Sequence, residues 1–152
     1  MYDENRWGLE GWEIPIDEII IEEIIGELRK ISQNNSETIA AAFSEGAKIL
    51  YSTDNWDIKQ EIKNIISHWK SGKKAQFITL DGIRYSILLM ERERIIAVSI
   101  SEPRYFTALK SKYKYFLFLT YILRRGVSIS KFIDTTFGNL LKLWKMYFGK
   151  SL

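Results

Sequence analysis

Thr38-Ile39-Ala40-Ala41-Ala42-Phe43-Ser44-Glu45-Gly46-Ala47-Lys48-Ile49-Leu50-Tyr51-Ser52 carries the clearest structural instruction in the chain. Two apolar runs flank Glu45-Gly46, a dipeptide that tolerates the positive φ of a two-residue hairpin loop. An antiparallel pair is therefore expected, residues 38–44 against 47–52. The small side chains of Ala40, Ala41 and Ala42 would let a helix approach closely. A second such dipeptide, Asp81-Gly82, separates 74–80 from 83–92, and 95–101 completes a three-strand meander. Ile83, Tyr85, Ile87 and Leu89 alternate with Arg84, Ser86, Leu88 and Met90, so this strand is apolar on both faces for part of its length. It is expected to be central.

Helices are expected around these strands. Residues 17–32 place Ile20, Ile21, Ile24, Ile25, Leu28 and Ile31 on one stripe. Acids gather at its start and Arg29-Lys30 at its end, as the helix dipole favours. A second helix over 55–71 follows the capping residues Ser52-Thr53-Asp54, with Asp57 at capping-box spacing. Pro103 suits the first turn of a third helix, which runs to about 125 and is rich in aromatics: Tyr105, Phe106, Tyr113, Tyr115, Phe116, Phe118 and Tyr121. After Gly126, a last helix over 130–148 spaces Phe132, Ile133, Phe137, Leu140, Leu141, Trp144, Tyr147 and Phe148 at helical intervals. The expected fold class is α+β: a five-stranded antiparallel sheet with helices on both faces, plus an additional C-terminal helix. Residues 1–16 read as an acidic arm carrying Trp7 and Trp12, 17–125 as the domain, and 126–152 as a basic amphipathic helix packed on it.

At 152 residues the chain suits one domain that needs neither disulfide nor metal for its core. It holds no cysteine, which removes disulfide frameworks, thiolate metal sites and cysteine nucleophiles together. The first residues are polar and acidic, so no signal peptide is indicated. The longest nearly apolar run, 116–123, falls far short of the ~20 residues that span a bilayer. A cytoplasmic location follows as the expectation, with attachment at a membrane periphery as the alternative, and the sequon Asn34-Asn35-Ser36 is then chance. Abundant isoleucine, lysine and glutamate without cysteine resemble a thermophile's, archaea-like composition. The net charge of +3 is unevenly spread: residues 1–30 carry −6 and residues 104–152 carry +9. That asymmetry favours either an anionic partner for the C-terminal part or attraction between the two ends.

Catalytic chemistry is not visible. His68 is the only histidine, so no pair of histidines can hold a metal and no histidine triad stands out. Gly149-Lys150-Ser151 superficially matches the end of a P-loop but lacks the upstream glycine and the strand before it. Asp81, Glu91 and Glu93 fall on expected turns, where carboxylates are usually solvated. No catalytic residue, cofactor or metal is expected. Basic and aromatic residues interleave over 110–115, a pattern that stacks bases on exposed strands. Here it falls on an expected helix with aromatics at core spacing, which argues against nucleic acid.

The order of elements over 17–125 resembles a roadblock/LC7-type domain, to which longin and profilin-like domains are close architectural relatives. The hairpin Ala42-Phe43-Ser44-Glu45-Gly46-Ala47-Lys48-Ile49-Leu50-Tyr51-Ser52 and the strands Ile83-Arg84-Tyr85-Ser86-Ile87-Leu88-Leu89 and Ile95-Ile96-Ala97-Val98-Ser99-Ile100 carry the resemblance. A longin domain lacks the leading helix. The resemblance implies a non-enzymatic homodimer that serves as scaffold or regulator of a small Ras-like GTPase. It implies pairing through the central helix and the strand after it, by Ile58, Ile62, Ile65, Ile66, Trp69, Gln76 and Ile78, and partner contacts at Glu45, Lys59 and Lys63. The apolar stripe of that helix is wider than packing on one sheet requires, which a dimer would explain. The alternative is a peripheral membrane adaptor, its last helix meeting anionic lipid through Lys131, Lys142, Trp144, Lys145 and Tyr147. Packing of the same stripe into the core is the competing expectation for that helix.

Overall fold

Seven strands make one antiparallel sheet: β1 (Ile39–Glu45), β2 (Lys48–Ser52), β3 (Phe77–Leu80), β4 (Ile83–Met90), β5 (Arg94–Ser99), β6 (Arg104–Lys110) and β7 (Tyr115–Ile122). Their spatial order is β2-β1-β7-β6-β5-β4-β3. Among the described residues four helices accompany them: α1 (Ile16–Asn34), α2 (Lys59–Ser71), α3 (Ile129–Thr136) and α4 (Gly138–Phe148). The computed structural model describes residues 16–34, 39–54, 56, 58–72, 75–99, 101, 103–112, 114–122 and 128–149. Residues 1–15, with Trp7 and Trp12, lie outside the described residues, as do Asp57, Gly126 and Lys150.

Both expected hairpins form, the first turning at Gly46-Ala47, one residue later than Glu45-Gly46, because Glu45 still pairs with Lys48. Gly46 has φ 58°, while Asp81 and Gly82 have φ 50° and 77°, the positive pair that matches a tight turn to strand twist. Thr53 prolongs the first hairpin: its Oγ1 accepts from the Ala41 N–H at 3.1 Å and its own N–H donates to the Ala41 carbonyl at 2.9 Å.

The sheet divides the core in two. On one face Ile20, Ile24 and Leu28 of α1 and Leu140 and Trp144 of α4 meet Ile39, Ala41 and Phe43 of β1 and Leu117, Leu119 and Tyr121 of β7. On the other, Ile58, Ile62, Ile65, Ile66 and Trp69 meet Ala40, Ala42, Ala97, Phe106, Phe116 and Phe118. Ala40 and Ala42 share the core with α2, as close approach requires, while Ala41 faces the core of α1 and α4. Trp69 Nε1–H donates to the Glu91 carbonyl at 2.7 Å, and Glu61 accepts from the Asp81 N–H at 3.1 Å, so α2 is tied to both meander turns. α1 and α4 are joined by the Tyr147 hydroxyl, which donates to the Glu23 carboxylate at 2.9 Å.

The five-stranded, roadblock-like expectation is overturned: two further strands, β6 and β7, replace the third helix expected over 103–125. The reason lies in burial. Every residue of β7 except Ile122 is buried, with Leu117, Leu119 and Tyr121 facing one core and Phe116 and Phe118 the other. Such a strand has no polar alternation, and a continuous apolar run does not separate strand from helix by period. Ser111 sets the turn between the two strands, its Oγ accepting from the N–H groups of Lys114 at 3.2 Å and Tyr115 at 2.8 Å. β4, expected to be central, is second from the edge, and β7 takes the fully buried role. The expected last helix is two. Phe137, at φ −105° and ψ 6°, leaves helical geometry between α3 and α4, which brings its ring 5.4 Å from that of Tyr121. α2 begins at Lys59 rather than 55, with Ile58 at its N-cap and no side-chain cap.

Among the described residues no helix is long and apolar enough to cross a membrane. Gly26 lies inside α1, and a Cβ built on it meets nothing within 4 Å. Gly26→Ala should therefore stabilise the fold by about 0.5–1 kcal/mol, through helix propensity and loss of unfolded-state freedom. A shifted urea midpoint with unchanged slope is the check.

Candidate functional site

Beside α4, on the face shared with α1, the sheet is only half covered. A groove of about 480 Å³ opens there between α3–α4 and strands β5–β7. Register builds its floor: Arg94 pairs with Leu109, which pairs with Leu117, and Ile96 pairs with Thr107, which pairs with Leu119. Alternation along β5, β6 and β7 therefore aims Ile96, Thr107, Leu109, Leu119 and Tyr121 to this one side. The wall comes from Ile133, Phe137 and Leu141 of the helical segment.

The polar groups are few and placed. At the floor the Thr107 and Tyr121 hydroxyls lie 3.2 Å apart. Burial pushes the Tyr121 phenol above its ordinary pKa, so it stays a neutral hydrogen-bonding group. Its ring is fixed by Phe132 at 5.1 Å, Phe137 at 5.4 Å and Tyr105 at 5.7 Å. At the rim stand Lys142 and Lys145, one turn apart on the exposed side of α4, with Asp134 on α3 and Arg94 on β5. The Arg94 Nε–H donates to the Glu91 carboxylate at 3.0 Å. An apolar trough with a basic rim suits a partner surface that offers apolar side chains flanked by acids.

Beyond the groove the same sheet face continues over β4 and β3, where among the described residues no helix covers it. Phe77, paired with Ser86, is 40 % exposed there. The Arg84 guanidinium stacks on the Phe77 ring, 3.8 Å from its centroid. Groove and open sheet form one continuous surface of mixed apolar and basic character.

The residues singled out from sequence fall elsewhere or serve otherwise. Ile58, Ile62, Ile65, Ile66 and Trp69 are buried under the chain's own sheet, so the wide stripe that suggested a dimer is covered within one molecule. Ile78 packs against that core, and Gln76 is exposed beside β3. Glu45 is paired with Lys114 at 3.1 Å, Lys63 is exposed on α2, and Lys59 opens that helix. Of the residues assigned to lipid, Trp144 is 1 % exposed and belongs to the core. Tyr147 holds Glu23, Lys131 is exposed on α3, and Lys142 and Lys145 line the groove. Arg94, Ile96, Thr107 and Leu109 were not foreseen. The alternation Tyr105, Thr107, Leu109 carries a strand signal, which a helical reading of 103–125 hides. Among the described residues no three His, Asp or Glu side chains gather to hold a metal.

No protein-family model matches the chain, and no curated protein does. Solved structures do. LokiProfilin2, in a complex with rabbit actin, superposes with a TM-score of 0.63 at 18% identity, covering 82% of this chain and 95% of that one. LokiProfilin1 in its rabbit actin complex gives 0.60 at 21%, over 82% and 96%. The profilin of Schizosaccharomyces pombe gives 0.61 at 13%, over 81% and 98%. The fold is profilin-like, and it matches these proteins over nearly their whole length.

Proposed function

We propose that this chain is a non-enzymatic actin-binding regulator that works in the cell interior and engages actin through the groove and the open sheet beside it. The observation that carries the reading is the profilin-like fold held in common with LokiProfilin1 and LokiProfilin2, both of which were solved bound to rabbit actin. This partner replaces the small GTPase and the second copy expected from sequence. The physical character of the face supports it: an apolar centre with charged rim residues is how a stable interface of about 800 Å² per partner is usually built.

Titrating the chain into fluorescently labelled rabbit actin is the test. Saturable binding is expected. Lys142→Glu with Lys145→Glu should weaken it by about tenfold, or 1.4 kcal/mol, by reversing the rim charge. Both lysines are exposed, so the melting temperature should stay put. Lys63→Glu with Lys70→Glu, on the opposite face of the sheet, should leave binding unchanged. Absence of a complex with the chain in large excess, or equal loss from both double variants, would sink the proposal.

A further inference from the structure

The groove and the core beneath α2 lie on opposite faces of the sheet, and the turn between β4 and β5 touches both. From the α2 side the Trp69 indole N–H donates to the Glu91 carbonyl at 2.7 Å, while its ring lies 5.8 Å from that of Phe116. On the groove side the Glu91 carboxylate accepts from the Arg94 Nε–H at 3.0 Å. The Glu91 N–H donates to the Arg94 carbonyl at 2.8 Å, which closes the turn. Lys110 ties the same turn to β6, its N–H donating to the Glu93 carbonyl at 2.9 Å. Glu91 is thus held by its carbonyl from one face and holds a guanidinium by its side chain on the other. The two charged side chains are both about half exposed. An ion pair this wet contributes little when its ends can drift. A carboxylate fixed in advance by its own backbone lowers the cost of ordering the arginine.

We propose that Trp69 is a positioning residue for the groove: through the β4–β5 turn it sets Glu91, and Glu91 holds Arg94 at the rim. Arg94 uses one N–H on Glu91 and keeps its other donors for an acidic partner. The effect on the partner rests on the actin reading. Charge and geometry make opposite demands on Glu91. As a charge alone it offsets Arg94, so neutralising it would tighten an acidic partner. As a support, its loss releases Arg94, and ordering that side chain then weighs against binding. Trp69 carries no charge and is buried in the core of the other face. Its influence on the rim therefore passes through the turn.

Trp69→Phe keeps an aromatic ring beside Phe116 and removes the indole N–H. In the full-length protein alone, the Arg94 Nε–H signal in NMR should exchange with water about threefold faster in this variant, as the loss of one hydrogen bond entails. The link is reciprocal, so Arg94→Ala should in turn speed exchange of the Trp69 indole N–H. This second reading leaves the core untouched and stands even if Trp69→Phe does not fold. Unchanged exchange in either direction would overturn the proposal. Toward labelled rabbit actin, Trp69→Phe and Glu91→Gln should each weaken binding by about threefold. The loss from Trp69→Phe should vanish in an Arg94→Ala background, a dependence that general destabilisation does not produce. Tighter binding by Glu91→Gln, or an equal loss from Trp69→Phe with and without Arg94, would overturn it as well. If the unaltered chain does not bind actin, the actin reading falls, while the two exchange measurements still decide whether Trp69 positions Arg94.

Discussion

Trp144→Ala should lower stability by about 3–5 kcal/mol, the usual loss when a large buried aromatic is truncated. Trp144 is 1 % exposed and meets Phe43 edge-on at 6.2 Å and Phe148 at 4.6 Å, so its removal opens a cavity between α4 and β1. For a chain of this length the melting temperature should fall by roughly 10 °C. Thermal unfolding followed by circular dichroism is the check. A shift within about 2 °C would mean that α4 contributes little to the core. The same residue had suggested a membrane boundary, and the two roles make opposite demands. A side chain wedged between helix and sheet cannot also meet lipid unless α4 leaves the domain.

A still larger effect is expected from Ile62→Asp with Ile66→Asp. Were this stripe an intermolecular surface, the double variant would be a folded monomer. Ile62 and Ile66, on the inner side of α2, are 0 % and 6 % exposed and belong to the core between helix and sheet. A buried carboxylate without a partner costs several kcal/mol, and two of them approach the ~5–15 kcal/mol that holds a typical domain together. The variant should lose its cooperative transition or be recovered only as aggregate. A soluble variant with an unaltered near-ultraviolet spectrum would show that α2 does not close the second core.

These two substitutions mark where the sequence could be read and where it could not. Gly46 and the pair Asp81-Gly82 encode their hairpins locally, through the φ values they tolerate, so β1 to β5 could be placed without tertiary knowledge. α1 was legible because it is buried on one side only. β6 and β7 were not, because Phe116, Leu117, Phe118 and Leu119 face two cores at once, and polarity then records no direction. That one ambiguity propagated. Without β7 there was no sheet wide enough to cover α2, so a second molecule was called upon to do it. Without β6 the alternation of Thr107 and Leu109 had no meaning, and the groove was invisible. Lys142 and Lys145 drew notice for their charge, which sequence does show, while their setting at the rim of a trough depends on strands far away in the chain.

The neighbourhood of β1 and β7 bears on how the protein comes into being. β1 lies between β2 and β7, so its register from Ile39↔Tyr121 to Glu45↔Tyr115 waits on residues made seventy or more positions later. On a ribosome adding about 5–20 residues per second, the isoleucines of α1 and the face of Ala41 and Phe43 emerge several seconds before β7 and α4 exist. By contrast, β3 to β6 pair only with sequential neighbours and can zip up as they appear, with β7 joining β6 next. The first hairpin and its helix are therefore the part of the newborn chain that must be kept from strangers. Their final docking closes the longest loop in the sheet, and it completes the core beneath α1 and α4 only when the last helix has been made.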